Sequence, residues 1–421
     1  MVDVVKSFGR AVSAASPNHP KLARTILRSG WGLMGLKYHY LPDKRLVPSD
    51  QYLADMMMRT MRRTLSHGES CAIVNAFTAC ELLQEVGLSP NNAETFSSYL
   101  SGSQAEGHFI QCMDDLGISD TFCSYHKIFE GSAEEDVMPK PACIVHTNLV
   151  CDANLVSFRR LASHFGIPLF YIDVPAKPSE EAVAYVERQM HDLASFLEEL
   201  TGKDVDDDSL RERVRRSQIT METFDAAQAA KAGKDVKTDL NSPLYCAMAN
   251  NILLGTEGQL RFVQMLRDDV AAAGPKRGKH LYWMHVIPYW SRGVAKLLAF
   301  SDQAQISGDE LGQCGCRDFD PDKPYEAMAR RMVYNSLNGP VVRRIDAGIR
   351  HAQEMEADGV VWFNHWGCKH TIGASQLAKR RFEEAGIPCL VIDGDGCDRS
   401  HGGEGQTETR LEAFLEMLDA R

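Results

Sequence analysis

The spacing of apolar positions changes several times along the chain, and the changes divide it. Up to about residue 66 apolar side chains recur at helical spacing, with residues 56–61 predicted as a buried turn of helix. Short apolar runs follow near 71–77, 142–149 and 169–174, each bounded by turn residues and too short for a helix. Such runs read as buried strands. At Pro178-Ser-Glu-Glu the period returns to that of a helix, carried by Val183, Val186, Met190 and Leu193. Thr201-Gly-Lys breaks that helix, and 206–230 forms a second, charged one. Further strands are predicted near 280–287, 360–366 and 390–392, with a last helix over 407–418.

The pattern predicts an α/β protein with two doubly wound, Rossmann- or flavodoxin-like parallel sheets at 67–177 and 241–421. An N-terminal helical segment (1–66) precedes them, and a helical insert (178–240) separates them. Two stretches follow one design. Residues 142–173 and 359–393 each run from an apolar strand to a cysteine (Cys151, Cys368), a helix, and a G-I-P-x-x-x-I-D turn into a second strand. Open parallel sheets bind ligands at the carboxyl ends of their strands. A cysteine at that point in both halves suggests a metal or redox site between them.

Composition narrows the chemistry. A net charge of −11 argues against a nucleic-acid partner, which would call for a basic face. No run approaches the roughly 18 to 20 apolar residues of a membrane span, and the first twenty residues show no secretory apolar core, so a cytoplasmic protein is expected. The chain has twelve cysteines but no C-x2-C pair, which counts against a zinc ribbon and a bacterial ferredoxin run. Any cluster must be assembled from cysteines distant in sequence.

The predicted strands sort those cysteines. Cys71, Cys143 and Cys389 sit at strand starts, and Cys112 and Cys246 inside helices, where a small buried apolar residue is the expected role. Cys80, Cys123, Cys151, Cys314, Cys316, Cys368 and Cys397 fall at the ligand end. Thiolates without regularly spaced histidines suit iron–sulfur ligation better than a hard cation. His365 and His370 flank Cys368 and read as neighbours of a ligand. Trp283, Trp290, Trp362 and Trp366 read as packing.

These residues resemble the 2-hydroxyacyl-CoA dehydratase and benzoyl-CoA reductase superfamily, in collinear order from about 70 to 420. The resemblance rests on the runs 79–90 and 123–127, Cys151-Asp, the Gly166-Ile-Pro turn, Leu197-Glu-Glu-Leu-Thr-Gly, Cys368 and the run 409–416. It implies that Cys123, Cys151 and Cys368 hold a [4Fe–4S] cluster between two α/β domains, with one iron left for water or a thioester carbonyl. It also implies a separate ATP-hydrolysing iron–sulfur activator as electron source. The chain has no G-x-x-x-x-G-K-[ST] loop of its own, which agrees with that division.

Ala79 departs from the family, which usually has proline there, and Cys80, Cys314, Cys316 and Cys397 are extra. One branch of the superfamily joins two cubanes in one subunit as a double-cubane [8Fe–9S] cluster, which needs six cysteines. Cys80, Cys314 and Cys316 would complete that set, with Cys397 as competitor for one place. The first expectation is therefore a double-cubane reductase of small substrates. The alternatives are a single-cubane 2-hydroxyacyl-CoA dehydratase or benzoyl-CoA reductase subunit, and a non-enzymatic iron–sulfur carrier. Glu81 is the candidate acid/base, and Ser124 and His126 are candidates to hydrogen-bond cluster or substrate. A homodimer, or a heterodimer with a related subunit, is expected.

Overall fold

The computed structural model describes residues 3–401 and 403–421; Met1 and Val2, at the head of the predicted N-terminal segment, and Gly402 lie outside the described residues. Two four-stranded parallel sheets carry the fold. In the first, β1 (Cys71–Val74), β2 (Ser89–Asn92), β3 (Cys143–Thr147) and β4 (Leu169–Ile172) lie in the order β2-β1-β3-β4. A two-residue antiparallel ladder, β5 (Lys234–Asp235) on β6 (Gly274–Pro275), stands apart. In the second sheet, β7 (Lys279–Met284), β8 (Ala304–Asp309), β9 (Gly359–His365) and β10 (Cys389–Gly394) lie in the order β10-β9-β7-β8.

Taken from its other edge, the second sheet repeats the first: second strand, first, third, fourth. The duplicated segment of the sequence is the third strand, helix and fourth strand of each half. The helices Asp152–Phe165 and Ser375–Glu384 make the two crossovers. Beyond each lies a left-handed glycine, Gly166 (φ +57°) or Gly386 (φ +82°), where a missing Cβ removes the strain, and the Pro that follows cannot extend the helix. In both halves the crossovers diverge between the first and third strands, which opens a crevice at their carboxyl ends.

Besides the short β5 and β6, two strands of the parallel sheets, β2 and β8, escape the sequence pattern, and both are sheet edges. β2 reads Ser-Pro-Asn-Asn, and Pro90 is tolerated because an edge strand pairs on one side only. β8 pairs with β7 through a register irregularity beside Leu281 and Tyr282. On the central strands of the second sheet, side chains alternate between two cores. Trp283 and Phe363 enter the main one, whereas Tyr282, Met284 and Trp362 pack with Ile345 and Phe382 behind the sheet. Trp366 departs from the packing expected of the tryptophans: it lies past the end of β9 and is 41 % exposed.

Helices cover the sheets. The N-terminal segment is Val4–Ala15, Pro20–Tyr40 and Pro48–Ser66, and the last of these buries Met56, Met57, Met58 and Met61 as predicted. It packs on Glu257–Ala272 and Asn241–Ile252 of the second half. Between the halves, Glu180–Thr201 packs on Pro324–Val333, and Asp207–Ala229 on Glu257–Ala272. Among the described residues no helix is long and apolar enough to cross a membrane.

A buried polar joint ties the N-terminal segment to the second sheet. Asp50 accepts from Thr238 Oγ1 at 2.6 Å, Lys231 Nζ donates to the Ser307 carbonyl at 3.1 Å, and Asp309 accepts from the Gly312 N–H at 2.8 Å. Burial pushes Asp50 and Asp309 each up to about 6, against the pull of their hydrogen-bond donors and of Lys231. A carboxyl held up in the folded state binds its proton more tightly there. Its stabilising contribution is present at low pH and is lost as pH rises from about 3.8 to about 6. Asp50→Asn removes that loss. The unfolding temperature of the variant relative to the parent is expected to rise across this window and stay level above it; a difference that is flat with pH would contradict the assignment.

Candidate functional site

Cys123, Cys151 and Cys368 each occupy the N-cap of a helix: Ser124–Glu134, Asp152–Phe165 and Lys369–Ile372. Their side chains line one cavity of about 510 Å³ between the carboxyl ends of the two sheets. Two come from the first half and one from the second. A helix N-terminus offers unpaired N–H groups that favour a thiolate. Burial opposes this. It comes first among the influences that push Cys123 well up, followed by its neighbours Cys151 and Cys368. Burial and then the Glu94 carboxylate push Cys151 up to about 12, while the Asn154 N–H pulls the other way. The sulfurs of Cys123 and Cys151 are therefore thiols unless a cation compensates them, as a bound metal does.

The junction between the halves is tight. Gly367 has φ +84°, and a Cβ there would lie 2.8 Å from both Cα and N of Cys123. Two imidazoles reach the sulfurs. The Gly396 N–H donates to His365 Nδ1 at 3.1 Å, so Nε2 carries the proton, and it lies 3.2 Å from Cys123 Sγ. His126 Nε2 lies 3.6 Å from Cys151 Sγ, with its Nδ1 held by Ser157 Oγ at 2.8 Å. Burial lowers both rings, His126 to about 3, so both are neutral. His126 also lines the cavity, but Ser124 does not. Ser124 Oγ donates to Asp395 Oδ1 at 2.7 Å, and the same oxygen accepts the N–H groups of Cys397 and Asp398.

A second cavity, of about 70 Å³, adjoins the first across Phe77, Asn251 and Leu311, which line both. Cys80 and Cys314 line it, and so does Glu81. Glu81 is fully buried, paired with Arg331 at 2.6 Å and accepting from Ser217 Oγ at 2.6 Å. Burial works against its ionisation, but Arg331 and Ser217 hold the carboxyl below its ordinary value. The structure thus puts Glu81 beside Cys80 and away from the three N-cap cysteines. Cys316 lines neither cavity and turns toward the Asp318 carbonyl, 3.7 Å away. Cys397 is fully buried and also lines neither.

Several cavity residues went unread in the sequence. Glu94, in the first turn of the helix after β2, lines the large cavity, and burial pushes it up to about 7. It follows a strand that its composition concealed, and that strand end was the available signal. His285, just past β7, and Val150, just before Cys151, both line the cavity with left-handed backbones, φ +80° and φ +69°. A β-branched residue at such a φ is strained, and strain of this kind gathers at functional sites. Arg344 also lines the cavity and is buried with Glu310 at 2.5 Å, which in turn accepts the His285 N–H at 3.1 Å.

Among the described residues no group of three or more His, Cys, Asp or Glu side chains closes tightly enough to hold a single metal ion. Three soft thiol donors brought from distant segments to one cavity suit a polynuclear cluster better than a single hard cation. The residues fit.

The family profile for the 2-hydroxyglutaryl-CoA dehydratase D-component matches residues 75–418. Over 334 residues the chain is 24 % identical to the (R)-phenyllactyl-CoA dehydratase alpha subunit of Clostridium sporogenes, covering 73 % of this chain and 79 % of that one. It is 21 % identical over 364 residues to the (R)-2-hydroxyisocaproyl-CoA dehydratase alpha subunit of Clostridioides difficile, covering 81 % and 88 %. It is also similar to the beta subunit of the Clostridium sporogenes enzyme, 25 % identical over 233 residues, covering 53 % and 60 %.

Gly367 and Gly386 offer a controlled test of the junction. Both have left-handed backbones, at φ +84° and +82°, but only Gly367 has atoms within 4 Å of where a Cβ would stand. Gly386→Ala is expected to cost about 1 kcal/mol of conformational strain. Gly367→Ala adds a collision with the Cys123 backbone and is expected to cost about 3 kcal/mol or more. Thermal unfolding of the two variants side by side checks the difference.

Proposed function

Because the chain belongs to the 2-hydroxyglutaryl-CoA dehydratase D-component family, within the 2-hydroxyacyl-CoA dehydratase superfamily, we propose that it is an iron–sulfur subunit acting on the thioester of a 2-hydroxy acid. The observation that carries this reading is the convergence of three N-cap cysteines, from both halves, on one large cavity. Cys123, Cys151 and Cys368 would hold a [4Fe–4S] cluster. Such a cluster would supply Lewis-acid and one-electron chemistry toward a thioester carbonyl.

The chain's own residues do the remaining work. The apolar wall, including Val150, Val156, Leu244, Met248 and Leu337, takes the acyl group and keeps water out. Glu94, held up to about 7, keeps a proton available to the departing hydroxyl. His365 and His126 fix the sulfurs of Cys123 and Cys151 in place. The electron comes from a separate ATP-hydrolysing iron–sulfur activator, because this chain has no phosphate loop to couple it. Likeness to both an alpha and a beta subunit supports assembly with a second subunit of the same fold.

One observation favours the double-cubane reading. Cys80 and Cys314 stand directly behind the Phe77, Asn251 and Leu311 wall, where a second cubane would join the first. Cys316 would have to turn inward to complete six ligands. The smaller cavity and the outward Cys316 weigh toward a single cubane.

Iron analysis under anoxic conditions decides between them: about four irons per chain is expected, and about eight would favour the double cubane. Cys151→Ser and Cys368→Ser are expected to lose the visible absorption of the cluster, while Cys80→Ser and Cys314→Ser keep it. Addition of a 2-hydroxyacyl-CoA is expected to perturb the cluster spectrum. A full spectrum in Cys151→Ser would sink the ligand assignment.

A further inference from the structure

The partners of the charged side chains in the large cavity decide what a substrate meets there. Among the described residues of its wall the cationic ones are Arg160, Arg344 and Lys369, and the acidic ones Glu94, Glu130 and Asp152. Arg344 is fully committed. It donates from Nε and Nη2 to the two oxygens of Glu310 at 2.5 Å each, and from Nη1 to the His370 carbonyl at 3.3 Å. Arg160 is held between two carboxyls. Its Nη1 and Nη2 donate to Glu134 Oε1 at 2.9 and 2.7 Å, and Nη1 also reaches Glu130 Oε2 at 3.3 Å. Lys369 and Asp152 are both exposed, so they stand at the rim.

Resting on the thioester reading above, we propose that Glu130 and Glu134 close Arg160 to ligands and so restrict the substrate to thioesters of 2-hydroxy acids with an uncharged, apolar chain. A second carboxylate on the acyl group, as in 2-hydroxyglutarate, would lose its water on entering the cavity. That loss is costly unless a cation pairs with the group. Inside, both guanidinium groups already have carboxylate partners. The ammonium of Lys369 compensates little, because a solvated ion pair is screened. The wall imidazoles, His126, His285, His365 and His370, are uncharged at pH 8, above the ordinary histidine value of about 6.5. Burial pushes Glu94 and Glu130 each up to about 7, so at pH 8 they are ionised and repel an anion. An apolar chain meets none of these penalties and gains from Phe122, Val156, Leu244, Met248 and Leu337.

The same ion cluster ties the helix Ser124–Glu134, capped by Cys123, to the helix Asp152–Phe165, capped by Cys151. A clamp with no further role would leave the choice between thioesters unmoved when its carboxylates lose their charge. A guard on Arg160 would not.

Calorimetric titration of the full chain, purified without oxygen and with its cluster, tests the proposal at pH 8. The probes are 2-hydroxyisocaproyl-CoA, phenyllactyl-CoA, 2-hydroxyglutaryl-CoA and coenzyme A alone. The tighter of the two apolar thioesters is expected to bind roughly thirtyfold more tightly than the dicarboxylic one. Glu130→Gln/Glu134→Gln keeps the size of both side chains and removes their charge, and is expected to narrow that ratio about tenfold. Adding Arg160→Gln to the double variant is expected to restore the parent ratio. Equal or tighter binding of 2-hydroxyglutaryl-CoA by the parent, or a ratio that the double variant leaves unchanged, would overturn the proposal and leave the thioester reading standing. If no thioester binds better than coenzyme A alone, the thioester reading itself falls, and the proposal with it.

Discussion

Everything at the centre of this molecule depends on how closely the turn after β9 approaches the backbone of Cys123. Gly367 makes that approach possible, because any side chain there would enter the Cys123 main chain. The turn belongs to the second sheet and the cysteine to the first half, so one contact sets the distance between two separately built halves. Cys368 follows directly, and its thiol comes into range of those of Cys123 and Cys151. A looser junction would leave the same cysteines on the same helices without a common cavity.

Buried polar groups hold that junction in a single arrangement. Asp395, in the turn after β10, gathers Ser124 from the first half and two backbone N–H groups of its own turn. The adjacent Gly396 N–H orients His365, whose other nitrogen faces the Cys123 sulfur. An unpaired member of such a network would carry its full desolvation penalty, so the set favours one docking geometry over sliding alternatives. The Glu310 and Arg344 pair does the same for the far wall, fixing the strained His285 backbone through Glu310. Rigidity at the cavity is thus built from hydrogen bonds across the halves as well as from apolar packing.

Much of the fold was legible in the chain. The strands that pair on both sides, β1, β3, β7 and β9, are built on apolar runs and buried almost throughout, and each sits where those runs place it. The edges β2 and β8 were not legible, because a strand paired on one side tolerates Pro90 and the polar run of β8. That omission also hid Glu94, whose position is meaningful only once β2 is known to end at Asn92. The ligand-end cysteines were identified together, yet they divide between a large cavity, a small one and neither.

The sequence by itself determined the local units. Strand, N-cap cysteine, helix and left-handed glycine follow from residue types within a few positions, because backbone sterics and hydrogen bonding act at that range. It also determined that the unit occurs twice. Which cysteines share a space was decided only by tertiary structure. Cys80 and Cys151 each follow a strand of the same sheet and cap a helix, but Phe77, Asn251 and Leu311 stand between their cavities. The wall is made of side chains far apart in sequence, and no local rule specifies which groups will meet there.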